Sequence, residues 1–246
     1  MDVAAAILAG GLGTRLRSVI ADRPKVLAPV GGHPFLTRLL DRLAAASFRQ
    51  VVLLTGYRAG QVRDALGETF AGMRLIYADE PFPLGTAGAL CRALPLLTQQ
   101  HVLLLNGDSY CDVDLRDFCR WHSGQSGGAS LVLARVPDVS RFGQVRRDKA
   151  GRIVRFEEKG QAAGPGWINA GIYLLERDLI AELPAKYPLA LERDVLPGWV
   201  ARRLVFGMKC SRRFLDIGTP ESYAQAESFF QAGLRRVAPE RSPARC

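Results

Sequence analysis

Between Leu8 and Lys25 the chain gathers three glycines and two well-spaced basic side chains in a pattern that suits an anion. The apolar run Val3 to Leu8 feeds Gly10-Gly11-Leu12-Gly13-Thr14-Arg15-Leu16, and Pro24-Lys25 closes the stretch. A strand entering a glycine-rich turn exposes backbone N–H groups with no side chains over them, which makes a cradle for phosphates. Arg15 and Lys25 add positive charge beside it. A dinucleotide fingerprint needs a third glycine where Leu16 stands, and a P-loop needs Lys-Ser or Lys-Thr directly after its last glycine. Neither spacing is met. A cradle with an Arg and a Lys suits a nucleoside triphosphate whose phosphates are being cut. The plainer reading of the glycines alone is a turn with an incidental surface arginine.

Two aspartates belong to the same chemistry. Asp108, in Asn106-Gly107-Asp108, follows the apolar run His101–Leu105, so it faces the crevice at the carboxyl end of a strand. Asp216, in Phe214-Leu215-Asp216-Ile217-Gly218-Thr219-Pro220, stands between a strand and a helix start. Two carboxylates converging on a triphosphate suit Mg²⁺, which takes one or two carboxylates plus phosphate oxygens. Taken singly, Asp108 reads equally well as a turn residue and Asp216 as a helix N-terminal anion. Three smaller places follow. Gly143 would let a ligand approach the backbone, Glu158-Lys159 could offer a carboxylate and an ammonium, and Asn169 could hydrogen-bond a polyol. Alone, they read as a hairpin glycine, a solvated charge run and a turn asparagine.

The elements that must hold these residues follow from hydrophobic pattern. Strands are expected at Val3–Leu8, Val51–Thr55, Met73–Ala78 and His101–Leu105, with helices around Pro34–Ala46, Gln61–Phe70 and Thr86–Leu94. Such alternation makes a parallel sheet covered on both faces. After Asp108 the rhythm changes. A helix is expected at Leu115–His122, a strand at Ser130–Val136, and a hairpin of Gln144–Arg147 with Ile153–Glu157 around the turn Asp148–Gly151. Further strands are expected at Ile172–Leu175 and Leu204–Lys209. A last helix is announced by Thr219 as cap, Pro220 and Glu221.

Composition bounds the rest. The chain has 246 residues, 48% hydrophobic and 23% charged, which suits a globular domain and excludes a disordered or collagen-like chain. No apolar run reaches the ~18–20 residues of a bilayer span. Met1-Asp2-Val3 lacks a basic leader, so secretion is not expected. The net charge of +9 comes without a basic block interleaved with aromatics, so no nucleic-acid groove is indicated. Five cysteines with no CxxC pair, and three well-separated histidines, exclude a disulfide framework or zinc ribbon and point to a reducing cytoplasm. No repeat or linker divides the chain, so one domain is expected.

The ordered set resembles the sugar-phosphate nucleotidylyltransferases, or nucleotide-sugar pyrophosphorylases. Its carriers are Gly10 to Leu16 with Pro24-Lys25, Leu84-Gly85-Thr86-Ala87-Gly88, Asn106-Gly107-Asp108, Gly143, Glu158-Lys159, Asn169-Ala170-Gly171 and Asp216 to Pro220, covering Val3 to about Phe230. The resemblance implies an α/β, Rossmann-like doubly wound, mostly parallel sheet of the nucleotidyltransferase (glycosyltransferase-A-like) type. It implies a single domain over 1–232, nucleotide-binding to about 110 and sugar-phosphate-binding beyond, with 233–246 a disordered basic tail. Arg15 and Lys25 would be catalytic. Leu8, Gly10, Gly11, Gly13, Thr14, Glu80, Gly85 and Thr86 would bind the nucleotide. Asn106, Gly143, Glu158, Lys159 and Asn169 would bind the sugar phosphate, and Asp108 and Asp216 would ligate Mg²⁺. The implied partners are an NTP and a sugar 1-phosphate, with no nucleic acid and no membrane, and with a homo-oligomer left open. Arg17-Ser18-Val19 departs from the many members with proline at position 18 and is similar to the heptose branch, while Leu84 to Gly88 is similar to guanylyltransferases. The expected reaction joins GTP to a D-glycero-D-manno-heptose 1-phosphate, making GDP-heptose for surface polysaccharide. A thymidylyl- or uridylyltransferase acting on a hexose 1-phosphate, or a silent nucleotide-sugar sensor, is the alternative. The chain stops soon after the catalytic domain, so a second, acyltransferase activity is not expected.

Overall fold

A computed structural model describes residues 2–157 and 160–234. The expected tail over 233–246 lies outside the described residues from 235 onward, as do the candidates Glu158 and Lys159, while its residues 233–234 close the helix Ala226–Leu234 instead of standing free of the fold. Eight strands form the main sheet: β1 Val3–Leu8, β2 Gln50–Thr55, β3 Thr69–Phe70, β4 Met73–Asp79, β5 His101–Asn106, β6 Ala129–Val136, β7 Gly166–Glu176 and β8 Val205–Cys210. Their order across it is β8-β6-β7-β5-β1-β2-β4-β3. The four-strand series expected from the sequence is parallel throughout, β5-β1-β2-β4. The second half makes the sheet mixed, because β7 runs antiparallel to both β5 and β6 while β8 is parallel to β6.

Both faces are covered, which is why the central strands read as unbroken apolar runs. On one face Ala5 and Ile7 of β1 pack with α1 (Phe35–Ala45), α2 (Ala59–Leu66) and α4 (Leu115–His122). On the other, Ala6 packs with α3 (Thr86–Ala93) and with the short helices Arg177–Ala181 and Leu196–Ala201. The stripe Leu36, Leu39, Leu40 and Leu43 of α1 is wholly buried. Each such leucine contributes about 1.5–3 kcal/mol, which is what seats α1 on the sheet. Among the described residues no helix is long and apolar enough to cross a membrane.

Two departures have local causes. The helix expected over Gln61–Phe70 ends at Leu66, because Gly67 takes φ 67° and the chain turns back. Thr69–Phe70 then pairs antiparallel with Met73–Arg74 across Ala71-Gly72. The single helix expected after Thr219 is two, Pro220–Ala224 and Ala226–Leu234; the first opens with a capping box between Thr219 and Ser222. The expected hairpin is present as Val145–Arg147 with Ile153–Phe156.

His122, at the end of α4, is 4% exposed, and its Nδ1 lies 2.7 Å from Ser130 Oγ. Burial, then the nearby His101, depresses its pKa to about 4. The folded state therefore holds it neutral while the unfolded chain takes up a proton near pH 6.5. Stability is fully present above about pH 6.5 and falls as pH drops toward about 4. Urea midpoints measured across that window in the wild type and in His122→Gln test this: the variant loses that part of the slope, and an unchanged slope would assign it to other groups.

Candidate active site

Strand order reverses between β1 and β5: β2 and β4 continue outward from one side of β1, and the chain then crosses back to place β5 on the other. Open α/β sheets leave a crevice at the carboxyl ends of their strands at such a reversal. It is here a cavity of about 600 Å³. Each strand delivers one segment to it: Gly10–Arg15 after β1, Gly56-Tyr57 after β2, Glu80–Pro83 after β4, and Asn106–Asp108 at the end of β5. The glycine loop is shaped by close approach. A Cβ on Gly10 would stand 2.6 Å from Glu80 Oε1 and 3.1 Å from Gly56 N. Gly13 adopts φ 60°, and a Cβ there would press at 3.0 Å on the Lys25 stem. Leu16 N donates to Gly13 O at 3.0 Å, winding the turn that carries Arg15.

At one end of the cavity charge accumulates. Lys25 starts a short 3-10 turn after Pro24, and its Nζ meets Asp108 Oδ2 at 2.6 Å. Asp108 is held from behind. Gly107 N donates to Leu8 O at 3.0 Å, with no room for a Cβ, and Ile217 N donates to Asp108 O at 2.9 Å. Phe214–Asp216 pairs with Ser109–Cys111, bringing Asp216 beside Asp108. Asp216 Oδ1 accepts from Gly218 N at 2.9 Å. Burial, then the charge of Asp108, pushes the Asp216 carboxyl above its usual range, with Lys25 and Arg15 opposing. Two carboxylates thus share this corner with Lys25, and Arg15 stands near enough to act on Asp216. No group of three or more His, Cys, Asp or Glu that could hold a metal gathers among the described residues. A cation here would need further oxygens from a ligand.

At the other end a single carboxylate faces the glycine loop. Glu80 Oε2 accepts from Leu84 N at 2.8 Å, while Oε1 points toward Gly10 and Gly56. Burial raises its pKa, opposed by the Leu84 bond and by Arg92. Next to it α3 begins at Thr86 after Gly85, whose φ of 79° and contact with the Leu189 backbone leave no space for a side chain. The N–H groups of Ala87 and Gly88 both donate to Leu189 O, at 3.0 and 3.2 Å. Thr86 Oγ1 donates to Glu192 Oε2 at 3.1 Å and accepts from Leu191 N at 2.7 Å.

The predicted residues divide in a simple way. Leu8, Gly10, Gly11, Gly13, Thr14 and Arg15 line the cavity, as do Lys25, Glu80, Gly85, Thr86, Asn106 and Asp108. Asp216 enters through its neighbour Gly218. Asn169 and Gly143 do not line it. Asn169, on β7, is linked to it through Tyr173, whose hydroxyl accepts from Asn169 Nδ2 at 2.7 Å and donates to Glu192, the partner of the lining Thr86. Gly143 takes φ 78° behind Phe142, whose ring packs 5.8 Å from that of Phe214. Sequence reasoning missed Gly56 and Tyr57, which the strand-end rule could have found. It also missed Glu192, in a helical turn over Leu191–Val195 that carries no motif.

A family model described as nucleotidyl transferase matches residues 4–233. The mannose-1-phosphate guanylyltransferase of Mycobacterium tuberculosis is 35% identical over 236 residues, 95% of this chain, which spans 66% of that protein's length. The D-glycero-alpha-D-manno-heptose 1-phosphate guanylyltransferase of Aneurinibacillus thermoaerophilus is 33% identical over 228 residues, covering 92% of this chain and 98% of its own. Among solved structures, HddC from Yersinia pseudotuberculosis complexed with GMP-PN superposes with a TM-score of 0.81 at 32% identity, covering 94% of this chain and 100% of its own.

Proposed function

The chain belongs to the nucleotidyl transferase family, and on that premise we propose that it transfers GMP from GTP to a D-glycero-D-manno-heptose 1-phosphate, releasing pyrophosphate. It is a sugar-1-phosphate nucleotidylyltransferase, as its named relatives are. The observation that carries the choice of base is Glu80. A carboxylate only accepts hydrogen bonds. With Oε2 fixed by Leu84 N and Oε1 facing the loop, it suits a base with two adjacent donors. Guanine has them, N1–H beside the 2-amino group, whereas adenine offers an acceptor at N1 and uracil or thymine a lone N–H between two carbonyls. The heptose is supported by Arg17-Ser18-Val19 and by the heptose relative. The mannose relative, equally close, supports mannose 1-phosphate as the second reading.

A phosphate oxygen of the sugar 1-phosphate attacks the α-phosphorus, the bond to the bridging oxygen breaks, and that oxygen leaves with pyrophosphate. No covalent intermediate is needed, because positioning and charge neutralisation carry such a transfer. Arg15 neutralises the departing β- and γ-phosphates and Lys25 the phosphates at the reacting centre, while the backbone of Gly10 and Gly11 faces the base. Asn106, Asn169 and Gly143 belong to the sugar-phosphate side. Asp108 and Asp216 fit Mg²⁺, which binds through one or two carboxylates plus substrate phosphates, and such an ion would relieve the burial and the Asp108 charge that push the Asp216 carboxyl up. When bound, the ion draws charge from the phosphate oxygens.

Pyrophosphate release with GTP, ATP, UTP, CTP and dTTP, each crossed with heptose, mannose and glucose 1-phosphates, tests the reading. The highest kcat/KM is expected for GTP with the heptose phosphate. Mannose in first place would move the sugar, dTTP or UTP with glucose would move the subfamily, and silence throughout would make the chain a sensor. Glu80→Gln is expected to lower kcat/KM for GTP by about 10- to 100-fold relative to UTP, the worth of one paired base contact. An unchanged GTP preference would mean that another group reads the base.

A further inference from the structure

Glu192 stands between the two halves of the cleft and belongs to neither. Its Oε2 accepts from Thr86 Oγ1 at 3.1 Å, on the nucleotide side. Its Oε1 accepts from the Tyr173 hydroxyl at 2.9 Å, and that hydroxyl receives Asn169 Nδ2 at 2.7 Å, on the sugar-phosphate side. Tyr173 is fully buried, so this chain of bonds has no competition from water at its centre.

The direction of every bond follows from one fact: a carboxylate has no proton to give. Tyr173 must spend its only O–H on Glu192, so it can meet Asn169 only as an acceptor. That turns the Asn169 amide with Nδ2 inward and leaves Oδ1 to accept from Gly171 N at 3.0 Å. The amide is then held at both ends, with one N–H and one lone pair left for a ligand. Thr86 is oriented by the same rule, its O–H committed to Glu192 while Leu191 N fills its acceptor side at 2.7 Å.

We propose that Glu192 is a positioning residue that ties Thr86 to Asn169 through Tyr173, so that filling the nucleotide half of the cleft tightens the sugar-phosphate half. The proposal rests on the reading above only in that the two halves hold a nucleotide and a sugar phosphate. A shift of Thr86 against its ligand moves one oxygen of a rigid carboxylate, and the other oxygen holds Tyr173. The nucleotide and the sugar phosphate are thereby coupled without touching the same side chain.

Titration calorimetry of heptose or mannose 1-phosphate, with and without guanosine 5′-(α,β-methylene)triphosphate and Mg²⁺, measures this coupling. Wild-type protein is expected to bind the sugar phosphate about 5-fold or more tightly with the analogue present. Glu192→Ala is expected to cut that factor to about 2-fold or less, with the circular dichroism spectrum retained. The uridine analogue with glucose 1-phosphate is the second pair: coupling seen only there would move the base and sugar and leave the role of Glu192 standing. Two further variants test the two acceptors and the reach in turn. Glu192→Gln keeps the reach but turns an N–H toward one of two hydroxyls that both need an acceptor there, and Glu192→Asp keeps both acceptors but falls one methylene short, so each is expected to lose most of the factor. Equal affinity with and without analogue in the wild type, or full coupling in Glu192→Ala or Glu192→Gln, would each overturn the proposal.

Discussion

Asp108→Asn is expected to lower kcat by about 10²–10³-fold or more while leaving the melting temperature within a few degrees of wild type. The substitution keeps the side chain's shape, and the bonds that seat this residue run through the backbone, from Ile217 N to Asp108 O and from Gly107 N to Leu8 O. What is lost is one of two converging negative charges and the partner of Lys25 at 2.6 Å. If Asp108 helps to hold a divalent cation, the residual rate also requires more Mg²⁺ for half-saturation. A wild-type rate at wild-type Mg²⁺ would remove it from that role.

Lys25→Ala is expected to cost a similar factor, about 10²–10³-fold in kcat, since on the proposed reaction it deletes a fixed positive charge at the reacting phosphates. Lys25 is 10% exposed along its side chain, so no solvent-borne ion readily replaces it. Lys25→Arg restores the charge on a planar fork of different reach, and only partial recovery is expected. The two substitutions strike the same ion pair, so the double variant should lose much less than the product of the single losses. Full multiplicativity would show that lysine and aspartate act separately, and an unchanged rate in Lys25→Ala would assign the charge to another cation.

Legibility differs between the halves of the chain for physical reasons. β1, β5 and α4 stand close to where the apolar pattern puts them, because buried strands and one-sided helices imprint their period on the sequence. The stretch from Arg177 to Ala201 has no such imprint. Its helices are five or six residues long, interrupted by Pro184, Pro188 and Pro197, and held by contacts with α3 or, for Leu196–Ala201, with Ile153–Phe156 and β8, rather than by local preference. The same contrast marks the site. Gly10, Lys25 and Asp108 announce themselves because strand ends and glycine turns are local signals. Glu192 does not, since what it does depends on Thr86, 106 residues away. Tyr173 reads as one more apolar strand residue, and only the fold reveals that its hydroxyl joins Asn169 to Glu192.

The pairing of β7 with β6 carries a last consequence. Asn169 faces Leu133 and Tyr173 faces Leu131, so Ala170, Gly171 and Ile172 stand opposite Val132 alone. The strand therefore holds two surplus residues, an even number, and its alternation survives the irregularity. Ile168, Ala170, Ile172 and Leu174 all turn to one core, while Tyr173 and Leu175 turn to the other. Removing a single residue here would invert half the strand and send each of its side chains to the opposite core. Removing two would leave both cores in phase and erase only the projection that carries Gly171 against Asn106 and Ser109. The packing of this sheet is thus blind to the presence of its site. Such a projection could be gained or lost there by one in-frame change of two codons, with the rest of the architecture undisturbed.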